Sequence, residues 1–340
     1  MRKVSHILVP FLGLVAGACG GSDKPAPAMP EPAETAEPAA TTPAETPSEP
    51  ATPPAEPAPA PTPEPPKAPT PAFTIKDAGL AAPESVVYDD QADVYLVSNI
   101  NGVPSDADGN GFISKVSPDG TVAELKWIDG TKKGSKLNAP KGLALSGDLL
   151  YVADINTVRM FDRKTGKAKG EVKLKGATFA NDISVGADGK IYVTDSGVKL
   201  SDKGAEPTKT DSVWVIEKKK AKQLAKGEDL GQPNGVLATD QGVWVATFGS
   251  NDLYLLDAKG AKGQAQKLPK GGLDGIVAAG DKVYVSSWEA SGVFAGTPGG
   301  EFELAYPDLK GAADIGFDSK RNRLLVPQLT ENALVGYDLK

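Results

Sequence analysis

The run QPNGVLATDQGVWVATFG, beginning at Gln232, is answered by LDGIVAAGDKVYVSSW, beginning at Leu273. Each opens on a polar residue followed by glycine, Asn234-Gly235 and Asp274-Gly275, then passes through a short apolar run, a turn and a second β-rich run. The same phrase recurs as PESVVYDDQADVYLVSN from Pro83, PKGLALSGDLLYVAD from Pro140, ANDISVGADGKIYVTD from Ala180 and, more worn, ADIGFDSKRNRLLVP from Ala313. In every copy the leading polar residue stands ten or eleven positions before the middle of the second run, at Tyr95, Tyr151, Tyr192, Trp244, Tyr284 and Leu324.

Such a repeat defines units that cannot bury their faces alone and so stack on their neighbours. Phe73 to Lys340 is 268 residues, or about 45 for each of six copies, the length of a four-stranded propeller blade. The expected fold is therefore all-β, a six-bladed β-propeller spanning 73–340. The piece FTIKDAG, from Phe73 to Gly79, precedes the first copy and is expected to supply the outer strand of the sixth blade. The turns SPDG, GADG and RKTG, and the absence of an amphipathic helical pattern, agree with an all-β domain. In this geometry the leading residues converge on the central channel: Glu84, Lys141, Asn181, Asn234, Asp274 and Asp314.

The preceding segments differ in kind. Residues 1–18 read as a signal peptide, with Arg2 and Lys3 before an apolar stretch from Ile7 to Val15. VAGAC ends at Cys19, the chain's single cysteine, and resembles a bacterial lipobox. Lipidation of Cys19 would anchor the protein to the membrane by acyl chains, in the bacterial cell envelope, facing the periplasm or the outside. Residues 19–72 form an expected tether: 18 of the 29 prolines fall between Gly20 and Ala72, mixed with Ala, Thr and Glu. That composition cannot form a core and favours polyproline II, reaching roughly 150 Å when stretched. With eight acids and two bases in the tether, the propeller retains a net charge of −3. No basic stripe with interleaved aromatics points to nucleic acid; Lys218–Lys220 reads as a hairpin turn.

His6, the chain's single histidine, lies in the signal. A processed, lipidated chain therefore has neither imidazole nor free thiol, which excludes His-dependent triads and zinc sites built on His or Cys. Oxygen chemistry remains. Glu84, Asn234 and Asp274 offer two carboxylates and an amide carbonyl, hard ligands of the kind calcium accepts, and a cation there could activate water or polarise a carbonyl.

PES at Glu84, AND at Asn181, PNG at Asn234 and LDG at Asp274, each followed by a turn and a strand such as KIYVTD or GVWVAT, resemble the senescence marker protein/gluconolactonase/luciferin-regenerating enzyme family. The resemblance implies a six-bladed propeller with one divalent cation, usually calcium, on the residues matching Glu84, Asn234 and Asp274. It implies that Asn181 orients substrate or water and that Asp274 is the general base. The family's substrate-binding arginine is replaced by Phe179, a departure that argues against sugar-acid lactones. Lys141 allows a competing arrangement in which its ammonium pairs with Glu84 in place of a cation; the surplus of acid in Glu84, Asp274 and Asp314 favours the cation.

VPSDADGNGFIS, from Val103 to Ser114, sets Asp106, Asp108 and Asn110 at the spacing of a calcium loop, but Ser117 stands where a bidentate glutamate belongs. A hairpin turn is the favoured reading. Trp127, Trp214 and Trp244 are expected in blade packing, whereas Trp288 and Phe248 follow second strands near the channel rim and could wall a pocket for an apolar substrate. Together these features lead to a membrane-tethered, metal-dependent hydrolase of lactones or small esters. The alternative is a non-catalytic propeller binding a ligand or an envelope protein.

Overall fold

The structure is a computed structural model describing residues 69–201 and 203–340. The signal peptide, Cys19 and the tether as far as residue 68 lie outside the described residues. The described part is a propeller of six four-stranded antiparallel sheets. Apart from two single 3-10 turns, Glu228–Leu230 and Leu329–Glu331, it contains no helix.

Strand β1 (Phe73–Ile75) precedes the first blade, which comprises β2 (Pro83–Asp89), β3 (Val94–Asn99), β4 (Phe112–Val116) and β5 (Val122–Asp129). Blade two comprises β6 (Pro140–Ser146), β7 (Leu149–Asp154), β8 (Thr157–Asp162) and β9 (Ala168–Lys173). Blade three begins with β10 (Ala180–Val185) and β11 (Ile191–Asp195), is interrupted by a two-stranded hairpin, β12 (Val198–Ser201) and β13 (Gly204–Pro207), and ends with β14 (Ser212–Glu217) and β15 (Lys220–Lys226). Blade four contains β16 (Pro233–Ala238), β17 (Val243–Thr247), β18 (Asp252–Leu256) and β19 (Gln266–Lys267). Blade five contains β20 (Leu273–Ala279), β21 (Lys282–Ser287), β22 (Gly292–Gly296) and β23 (Phe302–Tyr306). Blade six consists of β24 (Gly316–Asp318), β25 (Arg323–Gln328), β26 (Ala333–Asp338) and, as its outer strand, β1.

The pairing of Phe73 with Gly336 and of Ile75 with Leu334 closes the ring with both ends of the domain in one sheet, as FTIKDAG led us to expect. Phe73 stacks on Tyr95 of blade one at 5.9 Å, and Arg323 covers the ring's other neighbourhood at 5.5 Å.

Core residues lie between blades rather than inside them. One cluster joins Ala144 and Val158 of blade two to Ile183, Val193 and Trp214 of blade three; another joins Val283 and Phe294 of blade five to Ala246 and Leu253 of blade four. At the lower ends, turn carboxylates tie neighbours together: Arg163 of blade two bonds Asp89 and Asp90 of blade one, and Arg321 of blade six bonds Asp93 of blade one.

All six inner strands share an irregularity that positions the channel residues. Pro83 pairs with Asn99, yet three residues later Val86 pairs with Val97; the same one-residue shift follows Pro140, Ala180, Pro233 and Leu273. In blade six the Ala312–Gln328 bridge is followed by Gly316 opposite Leu325, which is the same shift. These are β-bulges, in which two residues oppose one and a side chain is re-aimed. The bulged pairs are Glu84-Ser85, Lys141-Gly142, Asn181-Asp182, Asn234-Gly235, Asp274-Gly275 and Ala313-Asp314. The register corrects one expectation: Ala313, not Asp314, is the sixth counterpart of Glu84. Asp314 stands one position on, level with Ser85 and Asp182.

Candidate functional site

The bulges divide the upper channel into two tiers. The first holds Glu84, Lys141, Asn181, Asn234 and Asp274, exposed by 5%, 1%, 5%, 4% and 4%, with Ala313 completing the ring. The second holds, in blade order, Ser85, Gly142, Asp182, Gly235, Gly275 and Asp314. Glycine is required there: a Cβ on Gly235 would stand 2.2 Å from the Asp274 carbonyl oxygen, and one on Gly275 2.3 Å from the Ile315 nitrogen. Below, Val86, Leu143, Ile183, Val236, Ile276 and Ile315, one from each blade, line a cavity of about 260 Å³ that reaches up to Asp182 and Asp314.

Hydroxyls on the second strands fix the bulges in alternate blades. Ser98 Oγ accepts from the Ser85 amide at 2.8 Å, Thr194 Oγ1 from the Asp182 amide at 3.0 Å, and Ser286 Oγ from the Gly275 amide at 2.8 Å. Thr194 and Ser286 then donate to the next blade, at the carbonyls of Asn234 and Ala313. The hydroxyls lock the inner strands to one another, so the first-tier side chains are held on a rigid frame.

In the first tier four buried oxygens, one each from blades one, three, four and five, have no hydrogen-bond partner among the described residues: Glu84 Oε2, Asn181 Oδ1, Asn234 Oδ1 and Asp274 Oδ1. The other end of two of these groups is fixed. Trp288 Nε1 donates to Asp274 Oδ2 at 2.7 Å, and Asn181 Nδ2 donates to Ser196 Oγ at 3.0 Å, which itself donates to the Pro233 carbonyl at 2.8 Å. Phe248 meets the Trp288 ring edge-on at 5.7 Å. Buried polar atoms normally have partners, and two carboxylates with two amide oxygens are donors suited to a hard divalent cation. Among the described residues no group of three or more His, Cys, Asp or Glu side chains forms a metal cluster; this donor set reaches four only by counting the two amides.

Electrostatics point the same way. Burial drives Glu84 well above the ordinary carboxylate range, and the charges of Asp274 and Asp314 add to it while Lys141 opposes. Asp274 is pushed up to about 8, by burial first and by Asp314 second, against the Trp288 and Asn234 hydrogen-bond donors. A ring that resists holding its own negative charge gains most from a cation.

The second tier is satisfied by the protein. Asp182 accepts from the Ile183 and Val236 amides, both at 2.6 Å, and Asp314 accepts from Ser85 Oγ at 2.5 Å. Burial raises both carboxyls, Asp314 to about 7, and the charge of Asp314 adds to the rise at Asp182.

Lys141 does not pair with Glu84. Its Nζ donates to the carbonyls of Pro104 at 2.9 Å and Ala139 at 3.1 Å and lies 4.2 Å from the centre of the Phe179 ring. No ion pair within 4.0 Å involves it among the described residues. The competing arrangement, a lysine substituting for a cation, is thereby corrected: the ammonium is turned away onto backbone carbonyls and an aromatic face. Phe179, in the place the resemblance gives to arginine, is buried and serves as that face.

The Asp106–Asn110 loop does not gather its acids. Asp106 and Asp108 are exposed, and Asp108 accepts from Asn110 Nδ2 at 2.5 Å. Ser117 belongs to a separate turn, accepting from the Gly120 amide. Trp214 is buried between blades, and Trp127 and Trp244 pack against the cores of their own neighbourhoods. Lys218 and Lys219 form the β14–β15 turn.

The propeller is similar to a solved gluconolactonase from Xanthomonas campestris, 21% identical with a TM-score of 0.58 over 78% of this chain and 89% of that one. It is similar also to a virginiamycin B lyase from Staphylococcus aureus, 15% identical with a TM-score of 0.55 over 79% of this chain and 99% of that one. No family model and no curated protein matches the chain. At these identities the likeness establishes the fold, a six-bladed-type propeller scaffold, and leaves the chemistry to the side chains.

Proposed function

We propose that the protein is a divalent-cation-dependent hydrolase of lactones or small esters. One observation carries this: four buried oxygens of the first tier, on Glu84, Asn181, Asn234 and Asp274, have no hydrogen-bond partner among the described residues. Glu84, Asn234 and Asp274 would hold one cation, calcium best suiting an all-oxygen set. When bound, the cation would withdraw electrons from a substrate carbonyl and neutralise the two carboxylates.

The remaining work falls to the chain's own groups. Trp288 fixes one oxygen of Asp274, so the other has a set direction from which to take a proton from an attacking water. Ser196 orients the Asn181 amide, whose free oxygen accepts from that water or from a substrate hydroxyl. Phe179, Phe248 and Trp288 give the surroundings an aromatic character, which favours substrates with an apolar ring or acyl group over sugar acids. The gluconolactonase to which the fold is similar is consistent with lactone chemistry. We further propose that Cys19 is lipidated and carries this propeller on a tether in the bacterial envelope.

The test is turnover of a panel of alkyl lactones and aryl acetates by the purified protein, with calcium and with chelator. Hydrolysis that chelator abolishes and calcium restores, and that Asp274→Asn removes, is expected. Turnover indifferent to both would sink the proposal. A second reading, a non-catalytic binding propeller, is favoured by the ring's exposure of 1–5%; an abundant envelope protein retained by the propeller, with no turnover of any panel member, would select it.

A further inference from the structure

One loop, attached in a distinctive way, reaches the first tier at Lys141. Residues 100–111 connect β3 to β4 at the upper end of blade one, and their two feet are firmly held. The Ile100 and Asn101 amides donate to Ala82 and Ala81, the Gly111 amide donates to Asn138, and Asn101 Nδ2 bonds the Asn110 carbonyl across the base. Between the feet, at 102–109, two hydrogen bonds leave the loop among the described residues. One runs from Lys141 Nζ to the Pro104 carbonyl at 2.9 Å; the other runs from the Leu200 amide, in the blade-three hairpin, to Ser105 Oγ at 2.9 Å. Blade two, between them, has only Ile155 and Asn156 in the corresponding connection, so loop and hairpin meet above it.

The first of these bonds comes from inside the channel. Lys141 belongs to the same tier as Glu84, is 1% exposed, and has no acid within ion-pairing distance among the described residues. Burial works against the ammonium, bringing Lys141 down to about 8, and what opposes this is the negative potential of Glu84 in the ring and, after it, of Asp154 at the end of β7. A cation bound by Glu84 would cancel that potential and add like-charge repulsion in a poorly screened site.

We propose that Lys141 latches loop 100–111 over the first tier, and that a divalent cation in the tier and the latched loop oppose one another. This rests on the cation reading given above. Each drives out the other: cation entry weakens the latch and frees the loop, and release of the latch strengthens cation binding by the same factor, since coupling between two equilibria is reciprocal. The loop then uncovers the ring only when the cation is in place, so that the site opens loaded. Lys141 is accordingly a positioning residue acting through Pro104.

Hydrogen exchange on the full chain, with calcium chloride as the probe, tests this alongside calorimetric titration of calcium. In wild type, amides of 102–109 are expected to exchange about tenfold faster with saturating calcium, while strand amides keep their protection. Lys141→Met, which keeps the apolar stem, should show the fast exchange without calcium and bind calcium about tenfold more tightly, or about 1.4 kcal/mol. Unchanged loop exchange in a folded Lys141→Met protein overturns the latch. Equal calcium affinity in the two proteins overturns the opposition. Should Lys141→Met lose strand protection, Ser105→Ala breaks the other tie outside the channel; faster exchange at both 102–109 and the hairpin, with tighter calcium binding, supports the proposal, and no change in either contradicts it. If neither wild type nor variant binds calcium, the cation reading and the opposition both fall, while loop exchange measured without calcium still decides the latch.

Discussion

Two consecutive positions on the same six strands behave in opposite ways. In the second tier Asp182 and Asp314 are as buried as their neighbours, yet Asp182 accepts from two backbone amides and Asp314 from Ser85. In the first tier Glu84, Asn181, Asn234 and Asp274 keep a free oxygen apiece. The bulge makes the difference by turning the leading side chain out of the ladder while its successor stays within reach of neighbouring amides. Under the proposed function, the satisfied second tier serves stability and the unsatisfied first tier serves a ligand.

Substitutions should separate the tiers. Glu84→Gln and Asp274→Asn are each expected to weaken calcium binding on the order of 100-fold, at the upper end of what even an outer-shell change costs. Without the cation, thermal stability should be unchanged or higher, because a neutral amide replaces a group whose charge is poorly solvated. Calorimetry and thermal unfolding on the same samples check both halves, and a large loss of stability would place these acids with the second tier.

Asp182→Ala should do the reverse. It strips an acceptor from the Ile183 and Val236 amides, at roughly 1–3 kcal/mol for each buried group left unsatisfied. A loss of about 3 kcal/mol in urea unfolding is expected, with residual calcium binding in the protein that remains folded. A change under about 0.5 kcal/mol, the scale of a surface substitution, would erase the distinction between tiers.

The pH dependence follows from the same acids. Asp274 and Asp314 have folded values raised to about 8 and about 7, so the stability they contribute is complete below the unfolded carboxylate value near 4 and is lost as pH rises through 7 and 8. In chelator, the melting temperature should fall between about pH 5 and pH 8. Calcium needs the ionised forms, so its stabilising effect should grow over that interval and flatten the curve. A melting temperature in chelator that rises with pH over this range would contradict the assignment. The smallest effect is expected outside both tiers: Asp106→Asn with Asp108→Asn should alter calcium affinity by less than about twofold, as befits exposed charges, and a larger loss in titration would restore that loop as a cation site.

Much of this was legible in the sequence. The repeat announced six blades, FTIKDAG announced the closing strand, and the polar leads of five copies named the first tier. Blade six misled because its lead is the apolar Ala313, so matching copies by their polar residue selected Asp314; the bulge that settles the register leaves no mark in composition. Its trace lies elsewhere, in the hydroxyls Ser98, Thr194 and Ser286 on the second strands and in the glycines following Lys141, Asn234 and Asp274. The orientation of Lys141 was illegible for another reason: its acceptor is the carbonyl of Pro104, 37 residues away on a loop whose path only the fold determines.

The central claim is that the first tier is a cation site. Elemental analysis of the purified protein, combined with calcium titration of wild type and Asp274→Asn, tests it most directly. One divalent ion per chain, removable by chelator and absent from the variant, is the predicted result. A chain that binds no calcium, magnesium or manganese at millimolar concentration would contradict it.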